Sequence, residues 1–248
     1  MWRDSLRNLV ADKLAPQVDA YTWHRYSLIE PFLIRGPIRS LNIGTGGGVE
    51  TLRLLERGNY VTTIELWEDH ARRTRERAIR QGYGDHHVGL TGHVLKLPLE
   101  GQFHLIQMCE VLEHIIDDAA VLRRLSDWLL PGGRLILSTP TASYGQLPGD
   151  KLSVTEDGGH VRVGYEGAEL DAMLGRVDLV TQKRIFNSGL GPTLQHLVER
   201  AFRDSPVRAA RAVAPVINLA SRPFMGVLDL PSIRPSDQIT IATKLPAA

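Results

Sequence analysis

The sequence predicts an α/β fold, a doubly wound, mostly parallel sheet with an antiparallel last strand. Three observations carry that reading. From residue 38 to residue 138, short apolar runs alternate with amphipathic stretches of helical period. A glycine run, Gly44-Thr45-Gly46-Gly47-Gly48, joins the first apolar run to the first helical stretch. The segment 238–244 alternates apolar and polar residues like a half-buried strand.

Taken in order, residues 1–35 read as helical, because Leu6, Leu9, Val10 and Leu14 recur at helical spacing and the pattern resumes from Tyr21 after Pro16. Strands are expected at 38–43, 60–66, 87–91, 103–108 and 134–138, the last opened by a Pro131-Gly132-Gly133 turn. Helices are expected between them at 49–57, 68–81 and 115–129. Residues 141–160 are rich in Gly, Ser and Asp and read as a long loop beside the site, followed by a helix over 166–174 and a strand over 177–186. Residues 187–236 hold helical pieces broken by Pro206, Pro215 and Pro223, far longer than a hairpin loop. The expected organisation is a single domain over 1–248: a helical lid (1–35), a core (36–186 and 237–246) and a helical insertion (187–236).

Composition bounds the function. The chain has 248 residues, 43% hydrophobic and 23% charged, with a net charge of +1. That balance offers no electrostatic pull toward nucleic acid. The single cysteine, Cys109, permits no intrachain disulfide and fits a reducing cytoplasm. Residues 1–16 carry charges every few positions and read as neither a secretory signal nor a membrane span.

The glycine run is the strongest chemical signal. Glycines at Gly44, Gly46 and Gly48 allow a tight turn and close backbone approach of a ligand. The helix that follows presents free N–H donors. About 20 residues on, the second strand ends in Glu65, placed to accept hydrogen bonds from the hydroxyls of an adenosine ribose. The dinucleotide fingerprint G-x-G-x-x-G/A fails at Val49, and no Tyr-x-x-x-Lys pair occurs, which disfavours a nicotinamide-dependent oxidoreductase.

The G-x-G-x-G form instead resembles motif I of class I S-adenosylmethionine-dependent methyltransferases, which have a Rossmann-like sheet. Residues 103–115 (FHLIQMCEVLEHI) resemble the fourth strand of that family and the loop after it, and residues 130–140 (LPGGRLILSTP) its fifth strand. The resemblance implies S-adenosyl-L-methionine as cofactor, held by Asn42, Gly44, Thr45, Gly46, Gly48, Glu65 and Leu66, with His93 and Val94 flanking adenine and Cys109 and Glu110 at the methionine end. Three positions depart from it. Asn42 and His93 stand where the family usually has acids, and His104, read as capping the start of its strand, where it usually has Asp. They keep open a second reading, a methyltransferase-fold binding or scaffold protein without catalysis.

Methyl transfer from a sulfonium is an in-line displacement that positioning and exclusion of water can largely accelerate. The candidate catalytic residues are His114, His160 and Glu113, with a histidine accepting the acceptor's proton. Glu110, Glu113 and His114 are spaced i, i+3 and i+4, so one helical turn would align them. With His160 they also form a candidate divalent-metal site, and the Glu-x-x-Glu-His run resembles metal-using O-methyltransferases of quinone biosynthesis and small-RNA 2′-O-methylation. Capping of the following helix is the competing role for Glu113 and His114. Tyr21, Trp23, His24 and Tyr26 are candidates for a substrate lid, and the Arg72, Arg73, Arg75, Arg77, Arg80 series reads as a solvated face. The expected activity is methylation of an O or N atom of a small or lipid-like acceptor. Residues 187–236 are the candidate contact for a membrane surface, the acceptor or a second copy of the chain.

Overall fold

The computed structural model describes residues 20–144, 151–187, 220 and 236–246. The chain divides into two compact units, one of residues 1–31 and 187–236, the other of residues 32–186 and 237–248. In the first unit the described helix α1 (Ala20–Ile29) ends in a short 3-10 turn containing Pro31, and His24, Arg25, Tyr26 and Ile29 are buried. The readings placed on residues 1–19 and on nearly all of 188–235 lie outside the described residues.

The second unit is the sheet domain. Its strands are β1 (Arg39–Ile43), β2 (Tyr60–Glu65), β3 (His87–Thr91), β4 (Phe103–Cys109), β5 (Leu129–Pro140), β6 (Leu179–Asn187) and β7 (Asp237–Lys244). They lie in the order β3-β2-β1-β4-β5-β7-β6. The pairs β1–β2, β1–β4, β2–β3 and β4–β5 are parallel, and β5–β7 is antiparallel. The helices are α2 (Val49–Glu56), α3 (Glu68–Arg80), α4 (Asp118–Trp128) and α5 (Gly167–Gly175). The chain reverses direction across the sheet at β1 and β4, which places the crevice for a ligand at their carboxyl ends.

Register explains why the two faces of the sheet differ. Leu41 sits beside Ile106, which sits beside Leu135, and Ile43 lies beside Met108, which lies beside Leu137. These rows pack with Val121, Leu122, Leu125, Leu170 and Leu174 into one continuous apolar core. The opposite face carries buried polar residues on the same strands. Asn42 lies between Thr63 and Gln107, and its amide donates to Thr51 Oγ1 of α2 at 2.9 Å.

In the sheet domain two boundaries differ from the sequence expectation by three residues or more. β5 begins at Leu129 rather than 134, because Leu129 already pairs with Phe103 and residues 130–133 bulge out before Arg134 pairs with Leu105. The Pro-Gly-Gly turn is therefore a bulge within the strand. α4 begins at Asp118 rather than 115, because Asp117 caps it by accepting the Ala120 N–H at 3.0 Å. His104 does not cap: it is exposed within β4, and its ring makes no hydrogen bond among the described residues.

His87, at the start of β3, is buried, with Nε2 3.0 Å from Thr63 Oγ1. Burial, then the charge of Arg75, lowers its pKa below the ordinary 6.5. The folded state thus favours neutral imidazole, and the unfolded chain takes up a proton first as pH falls below that ordinary value. Stability is expected to drop as pH is lowered from about 7 to about 5.5, and His87→Gln should flatten that slope in urea unfolding followed at each pH. An equally steep slope in the variant would assign the acid sensitivity elsewhere.

Candidate cofactor and acceptor site

The turn after β1 is shaped by close approach. Gly44 has φ +76°, and a Cβ there would fall 2.2 Å from Val111 Cγ2, so any side chain would collide with the segment leaving β4. Gly48 has φ +79°, and its Cβ would meet the Thr74 backbone of α3 at 3.3 Å. The turn is tied to the end of β2 by one carboxylate. Glu65 Oε2 accepts from Thr45 N at 2.8 Å, Thr45 Oγ1 at 3.0 Å and Gly46 N at 3.2 Å, while Oε1 accepts from Trp67 N at 3.1 Å. Oε2 is saturated, and Oε1 retains acceptor capacity. Glu65 is 5% exposed, so these bonds are made away from bulk water, where a carboxylate must be well satisfied.

The other expected cofactor residues divide. Leu66 is exposed just past β2. His93 and Val94 follow β3, but Val94 is 4% exposed and belongs to the apolar core, which leaves its backbone for a ligand. Cys109 ends β4, buried, with the Gln107 amide 3.7 Å from its sulfur. Asn42 lies within the sheet, where its amide nitrogen braces β1 to α2.

At the exit of β4 the helical alignment of Glu110, Glu113 and His114 does not form. Glu110 has φ +53°, a conformation costly for a residue with a side chain, and only Leu112–His114 follow as a single 3-10 turn. The Glu110 carboxylate turns to Ser138 Oγ at 2.6 Å, and its N–H donates to Ser138 O at 3.0 Å. Glu113, His114 and His160 do converge, their ligand-type atoms all within 4.8 Å of one another. Glu113 is fully buried, with Oε1 3.7 Å from His114 Nε2. The His114 and His160 rings meet edge-on, centroids 4.7 Å apart. The candidate metal set is thus three residues, without Glu110.

His160 is delivered by a strap, residues 151–164, laid along the segment after β4. His114 Nδ1 lies 3.0 Å from Gly159 O, Val161 N donates to Glu113 O at 2.9 Å, and Glu156 Oε1 accepts from Ile116 N at 2.7 Å. Arg162 anchors the far end, pairing with Asp118 at 2.7 Å and donating to Ile116 O at 3.1 Å. Beside it the Tyr165 hydroxyl donates to Asp118 Oδ2 at 3.0 Å. Burial, then the Asp118 carboxylate, holds that phenol well above its ordinary pKa of 10.0, so it remains a donor.

Sequence reasoning missed several residues. Arg77, assigned to a solvated face, is 7% exposed and donates to Gly47 O, clamping the glycine turn from α3. The signal was the small-residue stripe Ala71, Thr74, Ala78, which marks the buried face of that helix. Arg124 donates to Leu95 O and Leu97 O, and Trp128 Nε1 to Leu99 O at 3.0 Å, so α4 holds the segment after β3. Glu156 offered no sequence signal, because its role depends on where the strap lies.

Comparison with known proteins follows the same residues. The family model described as a methyltransferase domain matches residues 41–137. The ubiquinone biosynthesis O-methyltransferase of Aeromonas salmonicida is 33% identical over 101 residues, 41% of this chain and 42% of that protein. The chain thus matches about two fifths of the length of that curated relative. Among solved structures, the N-methyltransferase NodS of Bradyrhizobium japonicum, in complex with S-adenosyl-L-homocysteine, superposes with a TM-score of 0.59 at 14% identity, covering 93% of this chain and 90% of that one. The [4+2]-cyclase SpnF superposes with a TM-score of 0.65 at 17% identity, covering 90% and 82%. At such identities these two establish the fold alone. Together, the sheet order, the glycine turn and the matched segment support a class I S-adenosylmethionine-dependent methyltransferase domain. The cofactor that goes with this class is S-adenosyl-L-methionine.

Glu65→Ala removes charge-assisted hydrogen bonds and also releases the turn. Calorimetric affinity for S-adenosyl-L-homocysteine is expected to fall by about 1.5–3 kcal/mol. Unchanged affinity would remove Glu65 from the ribose subsite.

Proposed function

We propose that the protein transfers the methyl group of S-adenosyl-L-methionine to a hydroxyl oxygen of a small, largely apolar acceptor. The observation that carries this is the convergence of Glu113, His114 and His160 at the exit of β4, the strand neighbouring the one that leads into the glycine turn. With the His114 Nδ1 hydrogen directed at Gly159 O, Nε2 keeps its lone pair toward the cluster. In the step, the acceptor oxygen attacks the methyl carbon and the sulfonium C–S bond breaks. The hydroxyl proton passes to His114 Nε2, leaving S-adenosyl-L-homocysteine and a methyl ether. The name of the Aeromonas relative, an O-methyltransferase of ubiquinone biosynthesis, supports an oxygen acceptor. Ile116, Leu152 and Val154, exposed on the strap and the segment beneath it, support an apolar one. Residues 187–236, nearly all outside the described residues, are where peripheral membrane contact would be sought.

A second reading rests on the same three side chains. A buried carboxylate and two imidazoles make a mixed oxygen and nitrogen donor set that fits Mn²⁺, Fe²⁺ or Zn²⁺. The bond from His114 to Gly159 O would orient its Nε2 as a ligand. A cation held there would make a bound hydroxyl more acidic.

The readings separate by chelation. Turnover, followed as S-adenosyl-L-homocysteine released from a panel of phenolic acceptors, is expected to survive chelator. His114→Ala should lower kcat by roughly 10²-fold or more with cofactor affinity unchanged. Loss of turnover in chelator with recovery on adding Mn²⁺ or Zn²⁺ would favour the metal. No turnover with any acceptor, despite cofactor binding, would favour the scaffold.

A further inference from the structure

The corner beyond Glu65, at the end of β3, holds a donor and an acceptor that lie far apart along the chain. His93 Nδ1 accepts the Leu95 N–H at 3.2 Å, so the hydrogen of the neutral ring sits on Nε2. Nε2 lies 2.8 Å from Glu156 Oε2, brought over by the strap. That distance is one of charge contact, but the N–H does not point along it, and Nε2 is buried without a hydrogen-bond partner among the described residues. Among the described residues Oε2 likewise accepts no hydrogen bond; the bond from Ile116 is made to Oε1. The strap crosses this corner beside Trp67, where a Cβ at Gly158 would lie 3.7 Å from the indole ring. A partly buried N–H donor and carboxylate acceptor therefore stand side by side, both with capacity unspent.

The sheet order is β3-β2-β1-β4, so an adenosyl group with its ribose against Glu65 at the end of β2 and its sulfonium toward the exit of β4 extends its base toward β3. The edge of adenine offers one acceptor, N1, beside one donor, the 6-amino group. His93 alone provides only the donor half of its complement. Resting on the cofactor reading above, we propose that Glu156 is the carboxylate that reads the adenine 6-amino group, with His93 Nε2–H donating to N1. The usual acid of the β3 end is thereby relocated to the strap. His160 and Glu156 share that segment, so the contact to the base and the acceptor site are held by one strap.

The test measures calorimetric affinity of the full chain for S-adenosyl-L-homocysteine and for S-inosyl-L-homocysteine, whose 6-oxo group and N1–H reverse the edge. The wild type is expected to prefer the amine, since a site built to bond an N–H rejects the analogue that lacks it. Glu156→Gln, nearly isosteric, should lose roughly tenfold or more in affinity for S-adenosyl-L-homocysteine and narrow the preference, because its amide can donate to the 6-oxo group. The double variant Glu156→Ala, His93→Asp should recover affinity for the amine relative to Glu156→Ala alone, by returning an acid to the β3 end. Equal weakening of both ligands in Glu156→Gln, or no weakening, would overturn the proposal while leaving the cofactor reading intact. A wild type that binds neither ligand would overturn both.

Discussion

The Glu65 carboxylate is the constraint on which the site depends. Three donors from the glycine turn converge on one of its oxygens, and the backbone of Trp67 takes the other. Adjacent main-chain N–H groups at Thr45 and Gly46 can share one oxygen only in a sharply curved turn, and the positive φ of Gly44 and Gly46 supplies that curvature. Arg77 closes the arrangement from the other side through Gly47 O. The turn is thus held in a single shape by side chains from β2 and α3, and a ligand would meet a corner already organised for it.

The acceptor side is built by a different device. Parallel β4 delivers Glu113 and His114, but His160 and Glu156 come from a strap fixed to the backbone of residues 113–116 rather than to the sheet. A sheet domain of this class fixes where an adenosyl group sits, while the chemistry follows from what is laid across the carboxyl edge. That a cyclase shares this architecture with methyltransferases makes the same point. Here the strap contributes a partly buried carboxylate, Glu156, and an exposed imidazole, His160, and it is the element on which the assignment of activity turns.

Much of the core was legible because period and punctuation agree there. The apolar runs of β1 and β4, the alternation in β7 and the glycines after β1 leave little freedom in element type or order, and Glu65 follows from its distance to the turn. What escaped the sequence depends on geometry that spacing does not carry. The i, i+3, i+4 run of Glu110, Glu113 and His114 suggested a helical turn, yet the left-handed backbone at Glu110 directs its carboxylate to Ser138. Arg77 looked like one of five solvated arginines until the small residues Ala71, Thr74 and Ala78 were seen to bury that face. Glu156 lies about 60 residues from His93, and nothing short of the folded strap brings them together.

The most direct test of the account is a crystal structure of the protein grown with S-adenosyl-L-homocysteine. The account predicts density for one ligand at the carboxyl edge of β1 and β2, its ribose hydroxyls on Glu65 Oε1 and its base between Leu66 and the His93–Glu156 pair. A ligand bound elsewhere, or a ribose subsite left empty at saturating ligand with the Glu65 bonds to Thr45 and Gly46 unchanged, would contradict it.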